Sequence, residues 1–100
     1  MKILPHHYYD LIMRTGDAYR EGRCFDLRVR KLSSEESSDY ASLFGRETIQ
    51  LAHEVAFRDV EHIRAYIGWI KEDSENKMVF AMEGEKEYEF RPLSLPDIDS

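Results

Sequence analysis

Four histidines are the residues best suited to chemistry in this 100-residue chain, and His6 and His7 are adjacent. A zinc site needs three or four ligands that converge at about 2 Å. His53 and His62 stand apart, and no CxxC, HxH or HxxxH pattern occurs. The sequence therefore predicts no metal and no cofactor. We expect His53 to be buried on an apolar strand face, with its ring hydrogen-bonded.

Cys24 is the single cysteine and the one candidate thiol nucleophile. Such a thiol needs a base within hydrogen-bond reach and an electropositive setting. Arg23 is adjacent, but no feature brings a histidine near Cys24, and the chain has no glycine-rich phosphate loop and no GxSxG motif. We therefore predict no catalytic residues. The alternative is a small enzyme that places His53 or His62 in a cleft as a base.

An acidic ladder of four glutamates recurs at every second position near the end of the chain: Glu83, Glu85, Glu87 and Glu89. Alternate side chains of a strand share one face, about 6.8 Å apart. Residues 1–34 carry a net charge of +3 and residues 35–100 a net charge of −9. The acidic ladder is thus predicted to bind a partner with a basic surface. The alternative is that these charges only keep an edge strand from aggregating.

An aromatic flank forms the second predicted surface, with His62, Tyr66 and Trp69 at helical spacing i, i+4 and i+7. Tyrosine and tryptophan on a half-exposed helix edge combine apolar area with a polar tip, which favours them as interface anchors. The alternative is that Trp69 completes the edge of the core.

Arginines could contact phosphates from the outer face of a strand that carries Arg28 and Arg30. No aromatic residue is interleaved on that face, and the net charge of −6 repels nucleic acid. Nucleic-acid binding is therefore an alternative and not the main prediction.

The first half of the chain is predicted to hold a helix, a strand and a connection. Residues 5–21 have apolar side chains at helical spacing, although a strand over 8–13 competes. Residues 24–32 alternate as a half-buried strand. The Ser-rich connection 33–46 is predicted to hold a short helical turn capped by Ser38 or Asp39 and ending at Phe44.

The second half is predicted to hold a strand, a helix and two further strands. Residues 47–57 alternate as a strand, and residues 59–73 carry a helical stripe: Val60, Ile63, Ile67 and Ile70. Asp59 would cap this helix, and Gly68 would fall on its solvated side. Strands follow at 77–82 and 86–91, joined by a turn at 83–85.

Together these elements predict one α+β domain over residues 1–100, in the order α-β-β-α-β-β. A four-stranded, mostly antiparallel sheet would have one or two helices packed on one face, with a loop at 33–46 and a loose tail at 93–100. No apolar run is long enough to cross a membrane, and the first residues lack the apolar core of a signal peptide. We expect a cytoplasmic, non-enzymatic interaction module, of the inhibitor, immunity, antitoxin or accessory-subunit kind. It would dock on a protein partner and could form a homodimer.

Overall fold

Six antiparallel strands and one short helix make up the computed structural model, which describes residues 1–43, 52–59 and 62–93. The order is β-β-α-β-β-β-β, and the strands close into a barrel through pairing of the first with the last. In chain order the elements are β1 (Tyr8–Thr15), β2 (Ala18–Lys31), α1 (Ser34–Leu43), β3 (His53–Arg58), β4 (Ile63–Asp73), β5 (Met78–Met82) and β6 (Lys86–Pro92). The predicted α+β fold with a four-stranded sheet is therefore wrong.

The predicted helix over 5–21 is a hairpin, so the competing strand assignment for 8–13 is the correct one. β1 and β2 join through Gly16 and Asp17, and Gly16 has the positive φ of 56° that this tight turn requires. Tyr9 and Leu11 point into the barrel, whereas Tyr8 lies exposed on the outside. The apparent helical spacing arose because apolar residues lie on both faces of β1.

The predicted helix over 59–73 is also wrong, because β4 occupies 63–73. Ile63 is 71% exposed, Ile70 packs inside the barrel and Ile67 packs against α1 and its neighbours outside. Apolar side chains on both faces conceal the two-residue period of a strand. Isoleucine is branched at Cβ, a feature that favours strands over helices.

Gly68 is buried inside the barrel wall, contrary to its predicted solvated position. A Cβ built on Gly68 would lie 2.2 Å from the carbonyl oxygen of Ala81 on β5. Only glycine therefore lets β4 and β5 approach this closely.

The short helix α1 lies in the predicted connection but begins earlier than expected. Ser33 is its cap: the Ser33 hydroxyl accepts from the Glu36 amide at 3.1 Å, and the Glu36 carboxylate accepts from the Ser33 amide at 3.2 Å. This reciprocal arrangement is a capping box, which satisfies two amides at the helix start. The predicted caps Ser38 and Asp39 lie inside the helix, and Phe44 lies outside the described residues.

Three predicted strands are confirmed: 24–32 coincides with the second half of β2, 77–82 with β5 and 86–91 with β6. Between the last two, Gly84 and Glu85 have positive φ values of 81° and 58°, as a tight turn requires. The predicted strand over 47–57 is described only from residue 52, and its visible part belongs to β3.

The main core fills the inside of the barrel, where Phe80 and Phe90 are completely buried. A second, smaller cluster lies outside the barrel between α1 and β4. Trp69 and Leu32 form its centre, and Tyr40 of α1 packs on them with its ring 5.4 Å from that of Trp69.

Candidate functional site

A cavity of about 480 Å³ opens at one end of the barrel, between the first half of β2 and the turn that joins β3 to β4. Its floor is apolar and aromatic: Leu11, Met13, Phe57, Tyr66 and Tyr88. A smaller space of about 170 Å³ continues toward the β1–β2 turn and shares Met13 and Tyr88 with the first. Clefts of this size are typical of ligand sites.

The cavity opens there because β2 is much longer than the strand beside it. β2 pairs with β1 from Ala18 to Phe25, whereas its pairing with β3 begins only at Phe25, opposite Arg58. β3 ends at Arg58 and the chain turns away. The edge of residues 18–24 that faces away from β1 is therefore not paired with any described strand.

Gly22 keeps the cavity open from the β2 side. It lies opposite Leu11, whose side chain points into the barrel, and directly opposed residues share a face. A Cβ built on Gly22 would meet nothing within 4 Å. A side chain here would occupy the cavity.

Cationic side chains line both spaces from the inner face of the wall: Arg20 and Arg64 line the cavity, and Lys86 lines the smaller space that continues from it. Arg23 and the carboxylates of Glu21 and Asp59 complete the charged lining of the cavity. Arg20 lies opposite Met13, Arg64 opposite Phe57, and Lys86 opposite Met82. Arg64 donates from Nε to Asp59 at 2.5 Å. Among the described residues, no carboxylate forms an ion pair with Arg20 or Lys86. Within the described part of the chain, the positive charges of Arg20 beside the cavity and Lys86 beside the smaller space therefore have no partner of opposite sign.

Two tyrosines from β4 and β6 meet at the cavity. The rings of Tyr66 and Tyr88 lie edge to face with centroids 5.1 Å apart. Burial, followed by the hydrogen bond with Tyr66, raises the pKa of Tyr88 to about 12. Tyr88 therefore stays protonated at neutral pH.

The predicted aromatic flank does not exist as one surface, because β4 is a strand. Tyr66 faces the barrel interior, whereas Trp69 faces the outside and is 5% exposed beneath α1. His62 lies before β4 at the cavity rim, with its side chain 61% exposed and Nδ1 3.9 Å from a carboxylate oxygen of Asp59. His62 and Tyr66 therefore share the cavity, and Trp69 is separate.

The acidic ladder is divided between a turn and a strand. Glu83 and Glu85 lie in the β5–β6 turn, and Glu87 and Glu89 lie on the outer face of β6. Glu87 accepts from Lys71 at 2.5 Å. Glu89 is 4% exposed and pairs with two arginines, Arg14 and Arg91.

The remaining predicted residues lie away from the cavity or are already engaged. Cys24 is buried, and burial raises the pKa of its thiol to about 12, which makes it a poor nucleophile. His53 is half-buried at the start of β3, and its predicted neighbour Leu51 lies outside the described residues. Arg28 pairs with Asp26, and Arg30 pairs with two glutamates.

Metal and membrane features are absent from the part of the chain that the structure describes. No three His, Cys, Asp or Glu side chains come together there as a metal site would require. No helix in residues 1–43, 52–59 or 62–93 has the length and apolar character needed to cross a membrane.

Sequence reasoning missed Arg20, Gly22, Lys86 and Tyr88 as parts of one site. The signal was present in the alternation of Arg20, Gly22 and Cys24, which share the inner face of β2. It becomes visible only once Gly16 and Asp17 are recognised as a hairpin turn, because residues 5–21 are otherwise interpreted as a helix.

No family model, curated protein or solved structure matches this chain.

Proposed function

We propose that this protein is a non-enzymatic binding domain whose working site is the cavity at the end of the barrel. Its ligand has an apolar or aromatic part that lies on the floor of the cavity. A negative group of the ligand lies at the rim, beside Arg20 and Lys86. The observation that carries this proposal is a pair of inward-facing cations, next to an aromatic cavity, that form no ion pair with any carboxylate of the described residues.

The charge distribution supports an anionic ligand. The whole chain has a net charge of −6, so a cluster of positive charge on its surface is unusual and local. Rim charges above a low-dielectric wall focus the electric field and raise the local concentration of anions.

The predicted docking on a protein partner is compatible with this site. The docking surface is then the cavity and not the acidic ladder or the aromatic flank. In the acidic ladder, Glu87 and Glu89 already pair with basic side chains of this chain. Each is thereby less available to a basic partner. Trp69 is buried under α1, where it stabilises the fold. A partner protein would therefore offer a negatively charged, apolar segment to the cavity.

Binding of anilinonaphthalene sulfonate, a fluorescent aromatic anion, tests the proposal. We expect one saturable site in the native protein. Gly22→Leu should fill the cavity and weaken binding at least tenfold. Ala65→Leu adds the same side chain to an exposed position of β4 and should leave binding unchanged. Equal affinities for the two variants would contradict the proposal.

A small enzyme is the second candidate, because the cavity rim brings a histidine and a carboxylate together. His62 and Asp59 could act as an acid–base pair on a substrate in the cavity. Saturable hydrolysis of nitrophenyl acetate that disappears in His62→Gln would favour this candidate. A rate that is unchanged by the substitution would favour the binding domain.

A further inference from the structure

The exposed edge of β2 has backbone groups that face the cavity opening. The amide of Asp26 donates to the carbonyl of His7 at 3.0 Å, which makes this pair a hydrogen-bonded one. Hydrogen-bonded and non-bonded pairs alternate along antiparallel strands. Every second residue of β2, including Arg20, Gly22 and Cys24, therefore bonds to β1.

The intervening residues direct their amides and carbonyls away from β1: Tyr19, Glu21 and Arg23. β3 would be the neighbour on that side, but it ends at Arg58, opposite Phe25. Within the described residues, no backbone hydrogen bond occupies these three positions. Among residues 1–43, 52–59 and 62–93, no strand continues the line of β3 beyond Arg58, so this line is vacant next to the cavity in the described structure.

We propose that an extended segment of an acidic partner protein occupies this vacant line and adds a strand to β2. This inference rests on the proposed binding function of the cavity and names the ligand class. Strand addition uses main-chain hydrogen bonds for affinity and pockets for alternate side chains for specificity. Glycine on a strand often marks a place where another backbone or ligand approaches closely, as Gly22 does here.

The inward face of β2 determines the sequence preference of that segment. The residue opposite Gly22 points into the cavity, where the aromatic floor favours phenylalanine or another large apolar side chain. Two residues later, an antiparallel segment lies opposite Arg20, which favours glutamate or aspartate. The preferred pattern is therefore apolar-x-acidic, read from the amino end of the partner segment.

The probe is a short acetylated and amidated peptide of threonines that contains one Phe-Thr-Glu sequence, measured by calorimetry against the full chain. We expect saturable binding that weakens at least tenfold when the phenylalanine is replaced by alanine. Methylation of the peptide amides that face β2 should weaken binding by a similar factor without altering any side chain. No effect of methylation would overturn the inference.

Two variants at Glu21 separate the backbone contribution from the side-chain contribution. Glu21→Pro removes an amide that faces the open edge, and it leaves the hydrogen bonds to β1 intact. Glu21→Ala removes the same carboxylate and keeps the amide. We expect peptide affinity to fall at least tenfold in the proline variant and to change less than twofold in the alanine variant. Equal losses in both would contradict strand addition, and a proline variant that fails to fold leaves the methylated peptide as the deciding measurement.

Peptide binding and anilinonaphthalene sulfonate binding, measured on the same protein, distinguish the failure of this inference from the failure of the proposed function. If the peptide does not bind while anilinonaphthalene sulfonate binds in the Gly22-dependent manner, strand addition is wrong and the cavity function stands. If neither binds, the proposed function is wrong as well.

Discussion

Tyr66 and Tyr88 touch across the inside of the barrel, with their ring centroids 5.1 Å apart, although their strands are not neighbours. β5 separates the two strands in the sheet, so the rings meet across it on the inner face of the wall, and β1 and β3 supply the rest of the cavity floor. The two rings form part of the cavity floor. The candidate site is therefore a product of the closed fold and is not contained in any single hairpin.

Glycines at two inward-facing positions should respond oppositely to alanine. Gly68→Ala places a methyl group 2.2 Å from a carbonyl oxygen of Ala81, so β4 and β5 must separate. We expect a loss of at least about 2 kcal/mol in the free energy of unfolding, within the range for overpacked cores. Gly22→Ala meets open space and should stabilise by up to about 1 kcal/mol, because glycine weakens a strand. Urea denaturation measures both, and similar effects of the two substitutions would contradict the described geometry.

Two of the strands that could be predicted from sequence have one apolar and one polar face. Residues 24–32 and 86–91 show this alternation, and the structure confirms both. Alternation does not identify β4, because α1 covers its outer face at Trp69 and the strand therefore has apolar side chains on both faces. It failed in β1 for a related reason, since Ile12 is buried on the outer face as well. Closure of the sheet depends on long-range pairing of β1 with β6, which no local spacing reveals.

Trp69→Ala should act on the fold and leave the ligand site alone. The side chain packs between α1 and the barrel, on the far side of the wall from the cavity. Replacement of a buried tryptophan by alanine typically costs about 3–5 kcal/mol. We expect a lower melting temperature and, below that temperature, unchanged affinity for anilinonaphthalene sulfonate. A weakened affinity in the folded variant would show that the outer cluster contributes to binding.

Ser33→Ala should destabilise the first turn of α1. The substitution removes the hydroxyl that accepts from the Glu36 amide, and loss of such a cap typically costs about 1 kcal/mol. Because α1 shields Trp69, fluorescence of that tryptophan should shift to longer wavelength at denaturant concentrations where the wild-type emission is unchanged. Ser34→Ala, one residue further on, is the matched control and should behave like the wild type.

Glu89 should make the fold sensitive to acid. Burial alone would raise the pKa of this carboxyl, but the hydrogen bond and charge of Arg91, together with Arg14, lower it below its usual value. A carboxyl with a lowered pKa in the folded state stabilises the fold above its unfolded pKa. That contribution is lost as the pH falls through the folded pKa. Unfolding free energies measured from pH 7 downward should therefore decrease less steeply in Glu89→Gln than in the wild type, and a steeper decrease would contradict this assignment.

The most direct test of the account is the charge dependence of binding at the cavity. We expect Arg20→Gln combined with Lys86→Gln to weaken anilinonaphthalene sulfonate at least tenfold and to leave the uncharged analogue N-phenylnaphthylamine within twofold. Arg28→Gln combined with Arg30→Gln removes the same charge from the outer wall and should change neither affinity by more than twofold. Equal weakening by the two double variants, or no weakening by the first, would contradict the claim that the rim of the barrel binds an anion.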